Sequence, residues 1–199
     1  VGLLVTKSVP AKAAGEKGAR WGRREEGPPG YGQGVYSRWG DYGHGVRRSG
    51  DGFVTLADGS LRWGVYGAAG VLTRHVDAEG LAWYFLARRS LHTHQGGTWA
   101  VPGGAMDHGE DPVAAALREF AEEIGPFGAN YEVVEVHEDD HGGWAYWTVV
   151  VDVPERFPVP ASLGWETAEA RWVAAAELAG IELFGAFRAT LVRMGILEP

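Results

Sequence analysis

One stretch of the chain, Gly104 to Pro126, contains the residues best suited to chemistry. It reads GAMDHGEDPVAAALREFAEEIGP. The pair Asp111-Pro112 predicts the start of a helix, because Asp caps free amide groups and Pro is tolerated at the first helical position. Gly125 followed by Pro126 predicts its end. Between them, apolar side chains recur at helical spacing and predict a face that packs on a core: Val113, Ala116, Leu117, Phe120 and Ile124.

The same helix carries three carboxylates on a second face. Glu119, Glu122 and Glu123 are expected roughly 100° round from the apolar stripe. Like charges at this spacing destabilise an isolated helix. A hard divalent cation with oxygen ligands would relieve the repulsion, and Mg²⁺ is the usual ion where phosphates are handled.

This segment resembles the Nudix box, the signature of the Nudix hydrolase (MutT-like) family, Gx5Ex7REUxEExGU with U aliphatic. Phe120 and Pro126 depart from the pattern only at the loosely defined apolar positions, and the resemblance extends over about residues 64 to 195. It implies an α/β/α sandwich around a mixed sheet. All seven fixed positions are filled: Gly104, Glu110, Arg118, Glu119, Glu122, Glu123 and Gly125.

The resemblance also implies roles for these residues. Glu122 and Glu123 would be the principal Mg²⁺ ligands, with Mn²⁺ able to substitute, and the Gly104 carbonyl would join them. Glu119 would either bind the metal or act as the general base on the attacking water. Arg118 and Glu110 would orient the carboxylates through charge-assisted hydrogen bonds.

Further candidates lie outside this segment. The family often adds a carboxylate from a loop, and Glu166 (metal or base duty) and Glu169 (also a substrate-binding candidate) precede a predicted strand. Trp99, Trp144 and Trp147 are candidates for stacking a base, although aromatic residues in strands are usually core. His92 and His94 are interpreted as substrate-phosphate contacts or plain loop residues, since no third zinc ligand is evident. Glu138, Asp139 and Asp140 are interpreted as a polar turn between two strands.

Composition narrows the class of protein. The 199 residues suit one domain with an extension. There is no cysteine, which excludes disulfides and thiolate zinc sites and is compatible with a cytoplasmic location. The opening VGLLVTKSVP does not have the pattern of a secretory signal, and no segment is long enough to span a membrane.

Charge divides the chain into two parts. Residues 1–62 hold ten Lys/Arg against six Asp/Glu, whereas residues 63–199 hold eight against twenty. We predict a Gly-rich, basic, irregular arm over 1–62 and a Nudix domain over 63–199. An acidic domain disfavours nucleic-acid binding. The arm's scattered aromatic residues predict anchoring on its own domain or on a second copy in a homodimer: Trp21, Tyr31, Tyr36, Trp39 and Tyr42.

The remaining pattern predicts an α+β domain in which strands dominate. A hairpin is expected at 53–61 around Asp58-Gly59. The predicted helices are 112–124 and 185–194. The predicted strands are 64–74, 81–89, 97–102, 130–138, 143–153 and 169–174.

The resemblance, taken with these features, implies a Mg²⁺-dependent pyrophosphohydrolase that acts on a nucleoside diphosphate derivative. The GTWAVPGGAMDHGE run looks like the branch that hydrolyses nucleoside triphosphates, including oxidised purines. ADP-ribose, other nucleotide sugars and dinucleoside polyphosphates are the alternative substrates. Residues 142–144 are Gly-Gly-Trp, which lack the Pro and Tyr that mark those branches. A nucleotide-sensing binding module and an interaction protein that acts through the arm are the alternatives of another class.

Overall fold

The fold is a mixed β-sheet between two helices. The structure, a computed structural model, describes residues 48–199. Seven strands form the main sheet, with a central order β5-β4-β3-β8-β7, while β6 pairs with β3 and β9 with β4. These strands are β3 (Ala68–Val76), β4 (Ala82–Arg89), β5 (Trp99–Ala100), β6 (Gly103–Ala105), β7 (Glu132–Asp140), β8 (Ala145–Asp152) and β9 (Thr167–Ala174).

The pairing around β3 makes the sheet mixed and creates a division in it. β3 runs parallel to β8 and antiparallel to its other partners. Its second half pairs with β4, from Thr73↔Phe85 to Val76↔Ala82, whereas its first half pairs with the short strand β6. β4 therefore separates from β3 after Phe85 and pairs there with β5, while β9 pairs with β4 from Trp83 to Arg89. The two adjacent glycines of β6 lie where the strands part.

One helix covers each face of the sheet. Helix α1 (Pro112–Glu123) packs its buried Phe120 against Phe85 and the apolar residues of β3 and β8. Helix α2 (Gly185–Arg193) places Phe187 and Leu191 against the opposite face. The α/β/α sandwich around a mixed sheet, of α+β class, is confirmed.

The ends of α1 follow from its sequence. The side chain of Asp111 accepts hydrogen bonds from the amides of Val113 and Ala114, at 2.9 and 3.2 Å, and Pro112 opens the helix. Gly125 ends it with a φ of 121°, a left-handed conformation that glycine adopts without strain. Phe120 is 1% exposed, so an aromatic residue at this position fills the core.

Several predicted element boundaries shift, each for a backbone reason. The predicted strand 64–74 begins only at Ala68, because Gly64 and Gly67 have φ values of 97° and 106° and form a turn. The predicted strand 97–102 contains only β5, which ends before Val101-Pro102, where Pro lacks an amide hydrogen, and the separate strand β6 follows. The acidic residues 138–140, interpreted as a turn, end β7 instead.

The region before the sheet contains the predicted hairpin. β1 (Phe53–Thr55) pairs antiparallel with β2 (Leu61–Trp63), and Gly59 lies in the turn with a φ of 81°. Trp144 packs beneath, where its indole N–H donates to the Gly64 carbonyl at 2.7 Å. The predicted arm residues up to 47 lie outside the described residues, so the boundary at 62 remains a prediction. In residues 48–199, neither helix has the length and apolar character needed to cross a membrane.

Candidate active site

The guanidinium of Arg118 is the hub of the site. It donates to both carboxylate oxygens of Glu110, at 3.0 and 2.9 Å, and to the Ala105 carbonyl at 2.9 Å. A further bond of 2.6 Å reaches Glu119. Hydrogen bonds to Glu110 are the main reason that the pKa of Arg118 rises above its usual value. Arg118 thus joins α1 to β6 and to the loop between them.

Glu119 lies directly against the backbone of β6. A Cβ built on Gly104 would stand 2.3 Å from the Glu119 Oε2 atom, so a larger residue at position 104 would displace the Glu119 carboxylate. Burial raises the pKa of Glu119 to about 7, while Arg118 opposes that rise. The carboxylate is therefore expensive to ionise in the absence of a further cation.

Glu123 is fixed by two donors one turn further along α1. Its Oε1 atom accepts the Gly103 amide at 2.8 Å and its Oε2 atom accepts the Thr167 hydroxyl at 2.7 Å. Burial raises the pKa of this carboxyl group too, although both donors favour the charged form. Glu119 and Glu123 thus lie against β6, where Gly103 and Gly104 have no side chains and the carboxylates can approach the backbone closely.

Glu122 occupies a different position on the helix. Its side chain is 62% exposed and lies 3.5 Å from Arg118. Between residues 48 and 199, no three His, Asp or Glu side chains come together at metal-binding distances. The structure therefore brings together Glu119 and Glu123 of the three predicted carboxylates, and places Glu122 at the solvent side.

The two loop carboxylates have different surroundings. Glu166 is exposed beside Thr167, and its charge is one of the causes of the raised pKa of Glu123. Glu169 instead forms an exposed ion pair with Arg88 at 3.5 Å. Its neighbour Ala170 belongs to the α1-side core, so the Glu169 side chain points to the opposite face. The structure brings Glu166, and not Glu169, to the carboxylate site.

The predicted stacking tryptophans are mostly structural. Trp99 is 7% exposed in the α2-side core, and Trp144 is 9% exposed beneath the hairpin. Trp147 is half-buried against the α1-side core. By contrast Trp165, which the sequence analysis did not select, is 76% exposed. The sequence feature that could have identified Trp165 is its position directly before the candidate carboxylate Glu166.

The sequence did not identify Thr167 as a site residue, and it did not predict the contact between the Gly103 amide and Glu123. Thr167 reaches Glu123 because β9 pairs with β4, and Gly103 does so because β6 pairs with β3. Both contacts join segments that are far apart in the sequence, so no local sequence pattern predicts them. The amide of Gly164 also donates to the Glu123 carbonyl at 2.8 Å, which anchors the loop before β9 on the end of α1.

The last residue of β4, Arg89, and the loop that follows it lie beside the site. Arg89 donates to the His94 carbonyl at 3.0 Å, and its charge lowers the pKa of Glu123 in opposition to burial. The Ser90 amide donates to the Glu166 carbonyl at 2.7 Å, so this loop adjoins the loop before β9. His92 and His94 form part of that loop, and in the described chain they join no metal-binding cluster.

Comparisons with known proteins agree with this geometry. The NUDIX domain family model matches residues 67–193. A protein of Mycobacterium tuberculosis (strain H37Rv), provisionally named 8-oxo-dGTP diphosphatase 3, is 41% identical over 159 residues, which cover 77% of this chain and 72% of that protein. A solved Nudix hydrolase from M. smegmatis, RenU, is 37% identical with a TM-score of 0.66, over 73% of this chain and 93% of its own.

A C. elegans Ap4A hydrolase, 20% identical, shares the fold with a TM-score of 0.51 over 66% of this chain and 96% of its own. The family match covers more than half of the chain and includes every residue of the site described above. The chain therefore belongs to the Nudix hydrolase family, and it is a pyrophosphohydrolase of that family. Nudix hydrolases generally use divalent metal ions.

The raised pKa of Glu119 predicts an unusual pH dependence of stability. Because this pKa is higher in the folded protein than in the unfolded chain, its contribution is complete below about pH 4.5 and is lost as pH rises through about 7. In EDTA, the melting temperature of the wild type should fall by a few degrees between pH 5 and 8 relative to Glu119→Gln. About 1 kcal/mol corresponds to about 2–4 °C in a chain of this size.

Millimolar Mg²⁺ should remove most of that fall, because a bound cation stabilises the ionised carboxylates only in the folded state. Differential scanning calorimetry of both proteins, with and without Mg²⁺, measures the effect. Parallel pH profiles for the wild type and Glu119→Gln in EDTA would show that Glu119 is not held at a raised pKa.

Proposed function

We propose that the chain is a Mg²⁺-dependent enzyme that cleaves a nucleoside triphosphate, including oxidised purine forms, to the nucleoside monophosphate and pyrophosphate. The observation that carries the proposal is the pair of buried carboxylates, Glu119 and Glu123, packed against the Gly103-Gly104 backbone. The names of the relatives from M. tuberculosis and Proteus vulgaris, both 8-oxo-dGTP diphosphatases, support the choice of substrate.

The donor set fits a hard divalent cation. It consists of oxygen atoms only, and burial makes both carboxylates costly to ionise without a compensating charge. Glu119, Glu123 and the Gly104 carbonyl would hold Mg²⁺, with Glu122 as the solvent-side ligand and Mn²⁺ as a substitute. Bound there, the ion would neutralise phosphate charge and lower the pKa of a bound water.

The protein's own groups supply orientation and proton transfer. Arg118 and Glu110 hold Glu119 in place, while Thr167 and the Gly103 amide hold Glu123. We assign Glu119 as the group that takes the proton from the attacking water. Glu166, exposed next to Thr167, is the second candidate for this base.

A nucleotide panel with product identification tests the reaction. The panel contains dGTP, 8-oxo-dGTP, ADP-ribose and Ap4A, each with Mg²⁺. We expect a triphosphate to be the preferred substrate and pyrophosphate to be released. A preference for ADP-ribose or Ap4A would replace the substrate class, and binding without turnover of any compound would indicate a sensing module.

The metal assignment predicts a large loss of rate on neutralising Glu123. Glu123→Gln should lower kcat by at least about a hundredfold while the fold is retained, since the loss of one oriented electrostatic group commonly costs that much. Glu177→Gln is the matched control, because Glu177 is exposed in the 3₁₀ helix Ala175–Gly180. Near-full activity of Glu123→Gln at saturating Mg²⁺ would refute the assignment.

Trp165 is our candidate for the contact with the base. Trp165 lies between two residues that donate hydrogen bonds to Glu123: the Gly164 amide and the Thr167 hydroxyl. Its side chain is largely exposed. Stacking of a base on an aromatic side chain is worth about 1–3 kcal/mol. An indole ring next to the carboxylate site would bind a purine by stacking and would not contribute to the chemical step.

This assignment predicts a change in KM rather than in kcat. Trp165→Ala should raise KM for the preferred nucleotide by about tenfold or more, and Trp165→Phe should stay within about threefold of the wild type. Steady-state kinetics with pyrophosphate detection measures both values. An unchanged KM in Trp165→Ala would remove Trp165 from the binding site.

We further propose that the arm mediates a homodimer and that the enzyme acts in the cytoplasm. The first proposal is supported by the basic charge of the arm, opposite to that of residues 63–199, and by the aromatic residues scattered along it. Deletion of residues 1–47 should shift the protein towards monomer in light scattering and change turnover only a fewfold. Unchanged mass, or loss of all turnover in a folded truncation, would contradict this role.

A further inference from the structure

The short segment Arg48–Gly52, which precedes the family match, lies against the loop that carries Glu110. The His108 amide donates to the Arg48 carbonyl at 3.0 Å. The amides of Val65 and Gly64 donate to the carbonyls of Gly50 and Gly52, both at 2.8 Å. The 48–52 segment is therefore fixed between the turn at residues 64–67 and the 106–110 loop.

Gly50 makes the closest of these approaches. It is buried, and a Cβ added there would stand 1.8 Å from the Met106 carbonyl oxygen and 2.8 Å from its carbon. Both atoms belong to the backbone, so a larger residue at position 50 displaces either the segment or the loop. Met106 itself is 5% exposed and belongs to the α1-side core, which leaves the loop little freedom to yield.

The loop transmits its position to the catalytic carboxylate. The Asp107 amide donates to Glu110 Oε2 at 2.9 Å, and the Glu110 amide donates to the Asp107 carbonyl at 3.0 Å. Glu110 in turn binds Arg118 through both oxygens, and Arg118 holds Glu119. A chain of hydrogen bonds thus runs from the 48–52 segment to Glu119.

We propose that the 48–52 segment is a positioning element of the active site, with Gly50 as its positioning residue. It holds the 106–110 loop in the place where Glu110 and Arg118 can orient Glu119. The proposal rests on the proposed function, because it needs Glu119 to act in the reaction. It adds to the enzyme's working unit a segment that the NUDIX domain match, residues 67–193, does not include.

The test is Gly50→Ala in the full-length chain, compared with Gly128→Ala. A Cβ at Gly128 meets no atom within 4 Å, and its φ is ordinary, so it controls for the loss of a glycine. We expect Gly50→Ala to lower kcat by about ten- to a hundredfold with KM within about threefold, since a 1 Å misplacement can cost about a hundredfold. Gly128→Ala should match the wild type.

Two further measurements separate positioning from a general loss of structure. Hydrogen exchange at the His108 amide should accelerate in Gly50→Ala, while exchange in β8 stays at the wild-type rate. Gly52→Ala perturbs the same segment by a different route, since its Cβ meets only a Val65 methyl group at 3.1 Å and the strain comes from the φ of 145°, which residues with a side chain rarely adopt. It should lower kcat in the same direction, which keeps the test decisive if Gly50→Ala does not fold.

A folded Gly50→Ala protein with wild-type kcat, or an equal loss in Gly128→Ala, would overturn the proposal. So would a rise in KM alone, because the segment would then act on binding rather than on Glu119. If wild-type protein hydrolyses no nucleotide of the panel, the proposed function fails instead. Unchanged protection of the His108 amide in Gly50→Ala would show that the segment does not hold the loop.

Discussion

The site depends on the pairing of one half-buried cation, the Arg118 guanidinium. A charge withdrawn from water needs partners that fill its hydrogen-bonding positions, and Glu110, Glu119 and the Ala105 carbonyl supply them. Because these partners lie on a loop, on α1 and on β6, the same contacts fix three separate pieces of chain relative to one another. Replacing Arg118 by Lys would lose the bidentate hydrogen bonding to Glu110.

A second constraint follows from that arrangement. Glu119 and Glu123 are pressed against β6, and burial raises the pKa of each. A larger residue at position 104 would displace the Glu119 carboxylate, since a Cβ there would overlap it. The protein thus accumulates negative charge where solvent cannot fully stabilise it, which suits a site that binds a divalent cation together with the phosphates of a substrate.

The sequence predicted what depends on local spacing, and it could not predict what depends on strand pairing. The limits of α1 and its apolar stripe follow from residues close together in the chain, whereas the contacts of Arg118 with Glu110 and Glu119 were expected only from the resemblance to the Nudix box. The contact of Thr167 with Glu123 requires β9 to join β4. The burial of Trp99 and Trp144 likewise depends on the α2-side core and the hairpin, which aromatic content alone does not specify.

The most direct test of the account is anomalous diffraction from crystals grown with Mn²⁺ in place of Mg²⁺, with and without a non-hydrolysable triphosphate. We expect an anomalous peak from a Mn²⁺ ion that Glu119 and Glu123 bind directly and that lies next to the Gly104 carbonyl. The hydrogen bonds from Arg118 to Glu110 should remain as they are. A peak confined to another acidic surface, such as the end of β7 near Asp139, with none beside Glu123, would contradict it.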